Sequence, residues 1–279
     1  MKYFKLVNDV VIPQIGYGTY KSTGEDDSSV IEMALEAGYT LFDTASFYQN
    51  EHLIAQAVER TETDRETLFL QTKIWKEDMG YDRTMAAFEK SLNALNTDYL
   101  DLLLIHWPVS AEEPDWKERN AGTWKAMEKI YREKSVRAIG VCNFLPHHLY
   151  HLMKETDIRP MVNQIEFHPG YIQKATVDFC MDHEILVQAW SPIGRARILE
   201  EKLLQDMAAK YNKSAAQICI RFALQCNVLP LPKSANAVRM EQNLDVFDFE
   251  LEADDISRLL TLPQLGWSGE HPDRPRVQI

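Results

Sequence analysis

Eight short runs of apolar residues, many of them β-branched, recur along the chain, and each predicts a buried strand. Their nearly continuous apolar character is typical of strands in a parallel sheet that helices cover on both faces. The runs span 15–19, 40–43, 68–74, 101–106, 136–141, 161–166, 186–190 and 228–232.

Segments with helical spacing lie between these runs. In SSVIEMALEAG the apolar residues Val30, Ile31, Ala34 and Leu35 fall on one helical face, and Gly38 supplies a stop. The same spacing recurs between the later runs, which gives repeated βα units. Eight such units in 279 residues predict a closed (β/α)8 TIM barrel. A doubly wound open sheet is the structural alternative.

A small hairpin is predicted before the barrel, because YFKLVNDVVIP alternates apolar and polar positions around Asn8 and Asp9. We expect it to close the bottom of the barrel. No Gly/Ser-rich linker interrupts the chain, so residues 1–279 are interpreted as a single domain. Three stretches are predicted as inserted or appended loops: 109–120, 195–213 and 264–279.

The charge balance excludes several classes of partner. Acids number 42 against 30 lysines and arginines, for a net charge of −12. This balance opposes binding to nucleic acid or to anionic membrane surfaces. The sequence shows no secretory leader and no run long enough to span a membrane, so we expect a cytoplasmic protein.

Polar residues close the apolar runs, and in a barrel the reactive groups sit at the carboxyl ends of the strands. Taken singly, such residues have ordinary explanations as helix caps, snorkelling surface lysines or core histidines. Tyr48 follows one run in LFDTASFYQNE, so one mouth would hold Asp, Tyr, Lys and His together. The strand-end residues are Thr19, Asp43, Lys73, His106, Asn143, Gln164, Trp190 and Lys233.

This set has the chemistry of a proton donor. Tyrosine has an ordinary pKa near ~10, and an adjacent ammonium stabilises its phenolate and lowers that value. Lys73 could supply the charge while Asp43 pairs with the lysine. Tyr48 would then protonate a carbonyl oxygen, and His106 would donate a second hydrogen bond to it. The set holds no nucleophile, so an external hydride from a nicotinamide would complete the reaction.

The cofactor motif is not the common dinucleotide fingerprint. Lys21 stands where the third glycine after "GYG" would fall, so a Rossmann site is not predicted. Instead LPKSANAVRMEQN places Lys233, Ser234 and Arg239 around the start of a predicted helix, which favours a phosphate site. A solvated basic turn is the alternative.

Seven ordered motifs together resemble the aldo-keto reductase family over essentially the whole chain, from Ile15 to about Leu262. They are GYTLFDTASFYQNE, LFLQTKIW, LLLIHWP, IGVCNF, VNQIEFHP, AWSPIG and LPKSANAVRMEQN. The resemblance implies a (β/α)8 barrel, NADPH at its mouth, and reversible reduction of aldehydes and ketones. Bacterial reductases of 2,5-diketogluconate and methylglyoxal look most similar.

The resemblance also implies roles for individual residues. The catalytic tetrad falls on Asp43, Tyr48, Lys73 and His106. Two groups of contacts hold the nicotinamide end. Asn143 and Gln164 bind its carboxamide beside Cys142, where serine is commoner, and Trp190 stacks on the ring, where tyrosine is commoner.

The remaining cofactor contacts follow by the same resemblance. Ser191, Pro192, Ile193 and Gly194 match the loop on the pyrophosphate, and Lys233, Ser234 and Arg239 match the clamp on the 2′-phosphate, which favours NADPH over NADH. Gln242 and Asn243 match the adenine contacts, and Gly18, Thr19 and Tyr20 are further expected cofactor contacts.

Substrate selection is expected from aromatic and polar residues at the mouth, together with the 109–120 loop and the tail. Three acids, Glu112, Glu113 and Asp115, would oppose anionic substrates if they faced inward. A monomer is expected from the resemblance. The expected substrate contacts are Tyr20, Phe47, Tyr48, Trp75, His106, Trp107 and His168, with Trp267 in the tail.

Three competing interpretations are open at this point. A non-catalytic barrel that binds NADPH as a redox sensor would show a broken tetrad, whereas all four positions are filled. A barrel hydrolase would need a second acid beside Asp43, and Glu166 is not obviously inward. A metal on His147 and His151 has suitable spacing but lacks a third ligand, so no metal is predicted.

Overall fold

Strands and helices alternate along the chain in the computed structural model, which describes residues 2–22, 24, 27–109 and 112–274. The strands are β1 (Tyr3–Lys5), β2 (Val11–Pro13), β3 (Tyr17–Gly18), β4 (Leu41–Asp43), β5 (Phe69–Ile74), β6 (Leu100–Ile105), β7 (Val136–Cys142), β8 (Val162–Glu166), β9 (Leu186–Trp190) and β10 (Val228–Leu231). The helices are α1 (Ser29–Glu36), α2 (Glu51–Arg60), α3 (Tyr81–Leu95), α4 (Trp116–Arg132), α5 (Pro146–Glu155), α6 (Lys174–Asp182), α7 (Lys202–Tyr211), α8 (Ala215–Gln225), α9 (Ala237–Leu244) and α10 (Ala253–Leu260).

The eight strands β3 to β10 form one sheet whose spatial order follows the chain. Every neighbouring pair in it is parallel. Because a helix follows each strand in turn, the arrangement is the (β/α)8 barrel that the sequence predicts, and the open-sheet alternative is wrong.

Two prolines shape the seam where the barrel closes between β3 and β10. The backbone N–H groups of Gly16 and Gly18 donate to the carbonyl oxygens of Pro230 and Pro232, at 3.1 and 3.0 Å. A residue's N–H and C=O point to the same side of a strand, and proline has no N–H. The two prolines therefore accept from β3 and return no bond to it.

The core is built from the strands and the helix faces that cover them. All six residues of β5 and of β6 are buried, and on α8 Ile218 and Phe222 are fully buried against the sheet. Removing one such side chain from water stabilises the fold by about 1.5–3 kcal/mol. Local signals begin the covering helices: Ser214 and Gln217 form a capping box at the start of α8.

The amino-terminal hairpin lies at the bottom of the barrel, as predicted. Strands β1 and β2 pair antiparallel, and Ile12 on β2 is fully buried. The Asn8 side chain donates to the Arg137 carbonyl oxygen at 2.9 Å, near the amino-terminal end of β7. The hairpin thus covers the end opposite the strand carboxyl ends.

The predicted loops contain more helix than the sequence suggested. Helix α7 lies within 195–213 and buries Leu204 and Met207, and α4 begins at Trp116 inside 109–120. The sequence did not predict helix α10, which precedes the tail. Ser110, Ala111 and residues 275–279 lie outside the described part of the chain. None of the described helices combines the length and the hydropathy of a membrane span.

Candidate active site

A cavity of about 660 Å³ opens at the carboxyl ends of the barrel strands. Strands β4 and β6 bring Asp43 and His106 to its wall, and β5 holds Lys73 against Asp43. Tyr48 follows from a 3₁₀ turn, Ser46–Tyr48, after β4. The wall beside them is aromatic, because the Phe47 and Trp75 rings stack with centroids 4.0 Å apart. The structure therefore brings the four predicted tetrad residues together.

Lys73 lies at the centre of this group. Its Nζ donates to Asp43 Oδ1 at 2.6 Å, to the Thr44 carbonyl oxygen at 2.8 Å and to Tyr48 Oη at 3.4 Å. The Lys73 side chain is fully buried, so its charge is neutralised by Asp43 and not by water. Since the tyrosine oxygen accepts from Lys73, the Tyr48 proton is free for another acceptor.

The titration behaviour of Tyr48 differs from the expectation. Burial, followed by the Asp43 carboxylate, raises the pKa of Tyr48 well above its usual value. The prediction of a lowered pKa for Tyr48 is wrong, because desolvation of the phenolate is the larger effect. The phenol consequently keeps its proton at neutral pH, as a proton donor requires.

His106 is neutral for related reasons. Burial and then the Lys73 charge lower the pKa of His106 well below its usual value. Its ring lies edge-on to Tyr48, with centroids 5.5 Å apart. A neutral imidazole carries one N–H donor, which suits a hydrogen bond to a carbonyl oxygen.

The predicted nicotinamide contacts adjoin the tetrad. Trp190 Nε1 donates to Asn143 Oδ1 at 2.8 Å, and Asn143 Nδ2 donates to the His106 carbonyl oxygen at 3.0 Å. Asn143 adopts a left-handed backbone conformation with φ 64°, which asparagine tolerates better than most residues. Burial raises the pKa of Cys142, so its thiol is un-ionised.

The predicted phosphate group forms a compact cluster where α9 begins. Asn236 caps α9, and Arg239 Nε donates to Ser234 Oγ at 3.4 Å. Tyr17 Oη donates to the Ser234 carbonyl oxygen at 2.5 Å and ties the cluster to β3. Within the described residues, neither Lys233 nor Arg239 has an acidic side chain within 4.0 Å. Their charges and the helix N-terminus thus suit an anion.

Most predicted site residues line the cavity, and nine do not. Those that line it are Gly18, Tyr20, Asp43, Phe47, Tyr48, Trp75, His106, Trp107, Cys142, Asn143, Gln164, Trp190, Ser191, Pro192, Ile193 and Lys233. Those that do not are Thr19, Lys73, His168, Gly194, Ser234, Arg239, Gln242, Asn243 and Trp267. Thr19 is fully buried, and its hydroxyl donates to the Asp43 carbonyl oxygen at 3.0 Å.

The carboxyl-terminal tail changes two expectations about the substrate wall. Glu166 accepts from the Ser268 N–H and hydroxyl at 2.9 and 2.7 Å, so this acid anchors the tail instead of joining Asp43. His168 is fully buried beside Glu166 and does not line the cavity. Trp267 stacks on Tyr171 outside it, with ring centroids 6.0 Å apart. His168 and Trp267 are therefore not wall residues.

The acids of the predicted 109–120 loop also lie away from the cavity. Glu112 Oε1 pairs with Arg274 Nε at 2.8 Å, and Glu113 Oε2 pairs with Arg119 Nη1 at 2.8 Å. Arginine neutralises both carboxylates, so they do not present the anionic wall that an inward orientation would have given.

Two histidines of α5, His147 and His148, face Asp273 in the tail, and His151 is not part of this group. His147 Nε2 and His148 Nε2 lie 3.3 and 2.9 Å from the carboxylate oxygens of Asp273. The Leu145 N–H donates to His148 Nδ1 at 3.2 Å, so a neutral His148 ring carries its proton on Nε2, facing Asp273. A metal at Nε2 would need the opposite tautomer. The cluster is thus better suited to anchoring the tail than to binding a metal.

Several cavity or network residues were missed from the sequence. Two buried glutamines, Gln71 and Gln188, hydrogen-bond to the tetrad network, and their signal was an amide inside an otherwise apolar run. Other missed residues line the cavity: Lys21, Arg195, Ala196, Leu231 and Glu270. Glu270 reaches the cavity through the fold of the tail, which sequence spacing does not show.

Comparison with known proteins gives the family. The model of the aldo/keto reductase family matches residues 14–262. The chain belongs to this family and is an oxidoreductase, so the predicted resemblance is confirmed.

Similar proteins cover the chain almost completely. It is 42% identical over 270 residues to the glyoxal reductase of Bacillus subtilis (strain 168), covering 96% of this chain and 95% of that protein. It is 38% identical over 272 residues to methylglyoxal reductase DkgA of Escherichia coli (strain K12), covering 97% and 96%. The crystal structure of a Gox0644 mutant in complex with NADPH matches with a TM-score of 0.91 and 34% identity, covering 99% and 98%.

Proposed function

We propose that this protein reduces the carbonyl group of small aldehydes and ketones, α-dicarbonyls above all, with Tyr48 as the proton donor. The observation that carries the proposal is the position of Lys73 Nζ, 2.6 Å from Asp43 Oδ1 and 3.4 Å from Tyr48 Oη, behind the cavity that Tyr48 and His106 line. A carbonyl oxygen placed there would meet an O–H and an N–H donor on a neutral phenol and a neutral imidazole.

NADPH is the cofactor, and it supplies the hydride when it is bound. The residues present fit it, because Lys233 and Arg239 are cations without a described acidic partner in a chain whose net charge is −12. Gln164 and Asn143 offer amide groups for the carboxamide. Trp190 offers a broad face for the ring, and its N–H fixes Asn143.

The charge arrangement favours proton donation as the reaction proceeds. Tyr48 is protonated at rest, because burial raises its pKa. Charge on the phenol oxygen develops as the proton leaves, and the Lys73 ammonium already lies against that oxygen. The Lys73 contact is therefore stronger in the transition state than in the ground state, which is the condition for lowering the barrier.

The substrate proposal rests on the wall and on the relatives. Glyoxal and methylglyoxal reductases share 38–42% of their residues with this chain. The stacked Phe47 and Trp75 rings suit a flat, small carbonyl compound.

The test is the oxidation of NADPH on a panel of aldehydes, α-dicarbonyls and keto sugars. We expect Tyr48→Phe to lose turnover by a factor of at least ~10² while its NADPH dissociation constant stays the same. Tyr150→Phe, on the exposed face of α5, is the matched control and keeps wild-type activity. Tight NADPH binding with no reduction across the panel would favour the redox-sensor alternative.

A further inference from the structure

Three buried glutamines and one carboxylate form a connected network inside the barrel. Asp43 Oδ1 accepts from Gln71 Nε2 at 2.6 Å and from Gln164 Nε2 at 2.9 Å, in addition to Lys73. Gln188 Oε1 accepts from the same two amide nitrogens at 3.0 and 2.9 Å. Gln188 Nε2 donates in return to Gln71 Oε1 at 2.9 Å.

The network crosses the barrel from side to side. Gln71 lies on β5 and Gln188 on β9, which are four strands apart in an eight-stranded closed sheet, so they face each other across the interior. Both side chains are fully buried, and Gln164 is 1% exposed. Buried amides carry a large penalty when unpaired, so the orientation of each one is determined by its neighbours.

The orientations follow from the single carboxylate. Asp43 only accepts, so the nitrogen of Gln71 must face it, which turns Gln71 Oε1 towards Gln188. Gln188 then directs its nitrogen at Gln71 and its oxygen at Gln164. The nitrogen of Gln164 is thus held by two acceptors, Asp43 Oδ1 and Gln188 Oε1. Its oxygen, Oε1, accepts a weak hydrogen bond from Cys142 Sγ at 3.7 Å and keeps a second lone pair for the cavity that Gln164 lines.

We infer that Gln71 and Gln188 are positioning residues, which fix Gln164 with its carbonyl oxygen towards the cavity and so select the N–H side of the cofactor carboxamide. The inference rests on the proposed function, since the partner of Gln164 Oε1 is the nicotinamide end of the cofactor. Neither glutamine lines the cavity, so both act through the cavity residues they bond to, Gln164 and Asp43.

The test compares two ligands by isothermal titration calorimetry: NADP⁺ and the same molecule without its nicotinamide ring. Gln188→Met and Gln71→Met keep the side-chain size and remove the amide. We expect each variant to weaken NADP⁺ binding by about fivefold to tenfold, because that factor corresponds to the free energy of one oriented hydrogen bond. Binding of the truncated ligand should change by less than about twofold, because it makes no contact with Gln164.

A second variant separates orientation from packing. In Gln188→Glu, the introduced carboxyl group is buried near Asp43 and Lys73, and burial favours its protonated form. When protonated it donates to Gln71 Oε1 and accepts from Gln164 Nε2, as the amide does. We expect NADP⁺ affinity close to wild type at pH 6 and about tenfold weaker than wild type at pH 9, where the group ionises. Gln188→Met should show no such dependence relative to wild type.

Gln217→Met is the matched control, since it removes a buried glutamine on α8 that bonds to the Asp245 carbonyl oxygen at 2.7 Å. It should lower Tm and leave the ratio of the two affinities unchanged. Equal weakening of both ligands by Gln188→Met, or weakening of neither, would overturn the inference. If wild type binds NADP⁺ but reduces no carbonyl, the proposed function fails while the affinity ratio still decides the role of the glutamines.

Discussion

Replacing either member of the Asp43–Lys73 pair should lower the free energy of unfolding. Replacing both should lower it by much less than the sum of the two single losses. The two charges lie 2.6 Å apart with side chains 6% and 0% exposed. Breaking a buried pair from one side typically costs about 3–5 kcal/mol, because the remaining charge stays unpaired. Each partner here keeps other contacts. Asp43 keeps two amide donors, and Lys73 keeps the Thr44 carbonyl and the Tyr48 oxygen.

Because of these remaining contacts, we expect each single variant, Lys73→Met or Asp43→Asn, to lose about 3 kcal/mol of the free energy of unfolding, the lower end of the typical range. The double variant holds no unpaired charge, so we expect a total near 3–4 kcal/mol and a coupling energy of about 2–3 kcal/mol. Urea unfolding followed by far-UV circular dichroism gives all four free energies, provided that the m-value is constant. Losses that add to within about 0.5 kcal/mol would refute the reasoning, since the two charges would then be independent.

Two further predictions concern the cofactor clamp and the tail anchor. Arg239→Ala should weaken NADPH binding by about 10- to 100-fold and NADH binding far less, because only NADPH carries the 2′-phosphate. Arg258→Ala on α10 is the control, and equal losses of affinity for both cofactors would contradict the assignment of Arg239 to the 2′-phosphate. Burial lowers the pKa of His148 from 6.5 to about 4. Between these two pH values the unfolded chain binds a proton that the folded chain does not bind, so the free energy of unfolding falls as the pH drops from 6.5 to about 4. His148→Gln should remove about 3 kcal/mol of that pH dependence, measured by urea unfolding between pH 7 and pH 4, and an unchanged slope would show that His148 titrates normally.

The barrel could be predicted because its signals are local. Each of the eight apolar runs became a strand, and the polar residue that closes a run marks the cavity end of the barrel. Strand alternation and chain order were sufficient to bring Asp43, Lys73 and His106 to one mouth. Helix α7 was missed because its apolar residues, Leu204 and Met207, were interpreted as part of an insertion.

The features that could not be predicted from the sequence depend on contacts between residues far apart in the chain. Gln71 and Gln188 are 117 positions apart and meet only when the barrel closes, so neither run could indicate the pair. The pKa of Tyr48 was misjudged because charge can be inferred from spacing, while the degree of desolvation requires the packed structure. His168 was expected among the substrate contacts, but it is fully buried, with Gly266 of the tail against its ring.

The seam between β3 and β10 has a consequence for how the protein is made. It joins Gly16 to Pro230, so the barrel cannot close during synthesis until almost the whole sequence has left the ribosome. The predicted proton donor Tyr48 is translated early and the phosphate cluster late, on opposite sides of this joint. A nascent chain therefore carries Tyr48 and Lys73 before Lys233 and Arg239 have been added. The mouth of the barrel is completed only when two glycine N–H groups bond to two proline carbonyl oxygens.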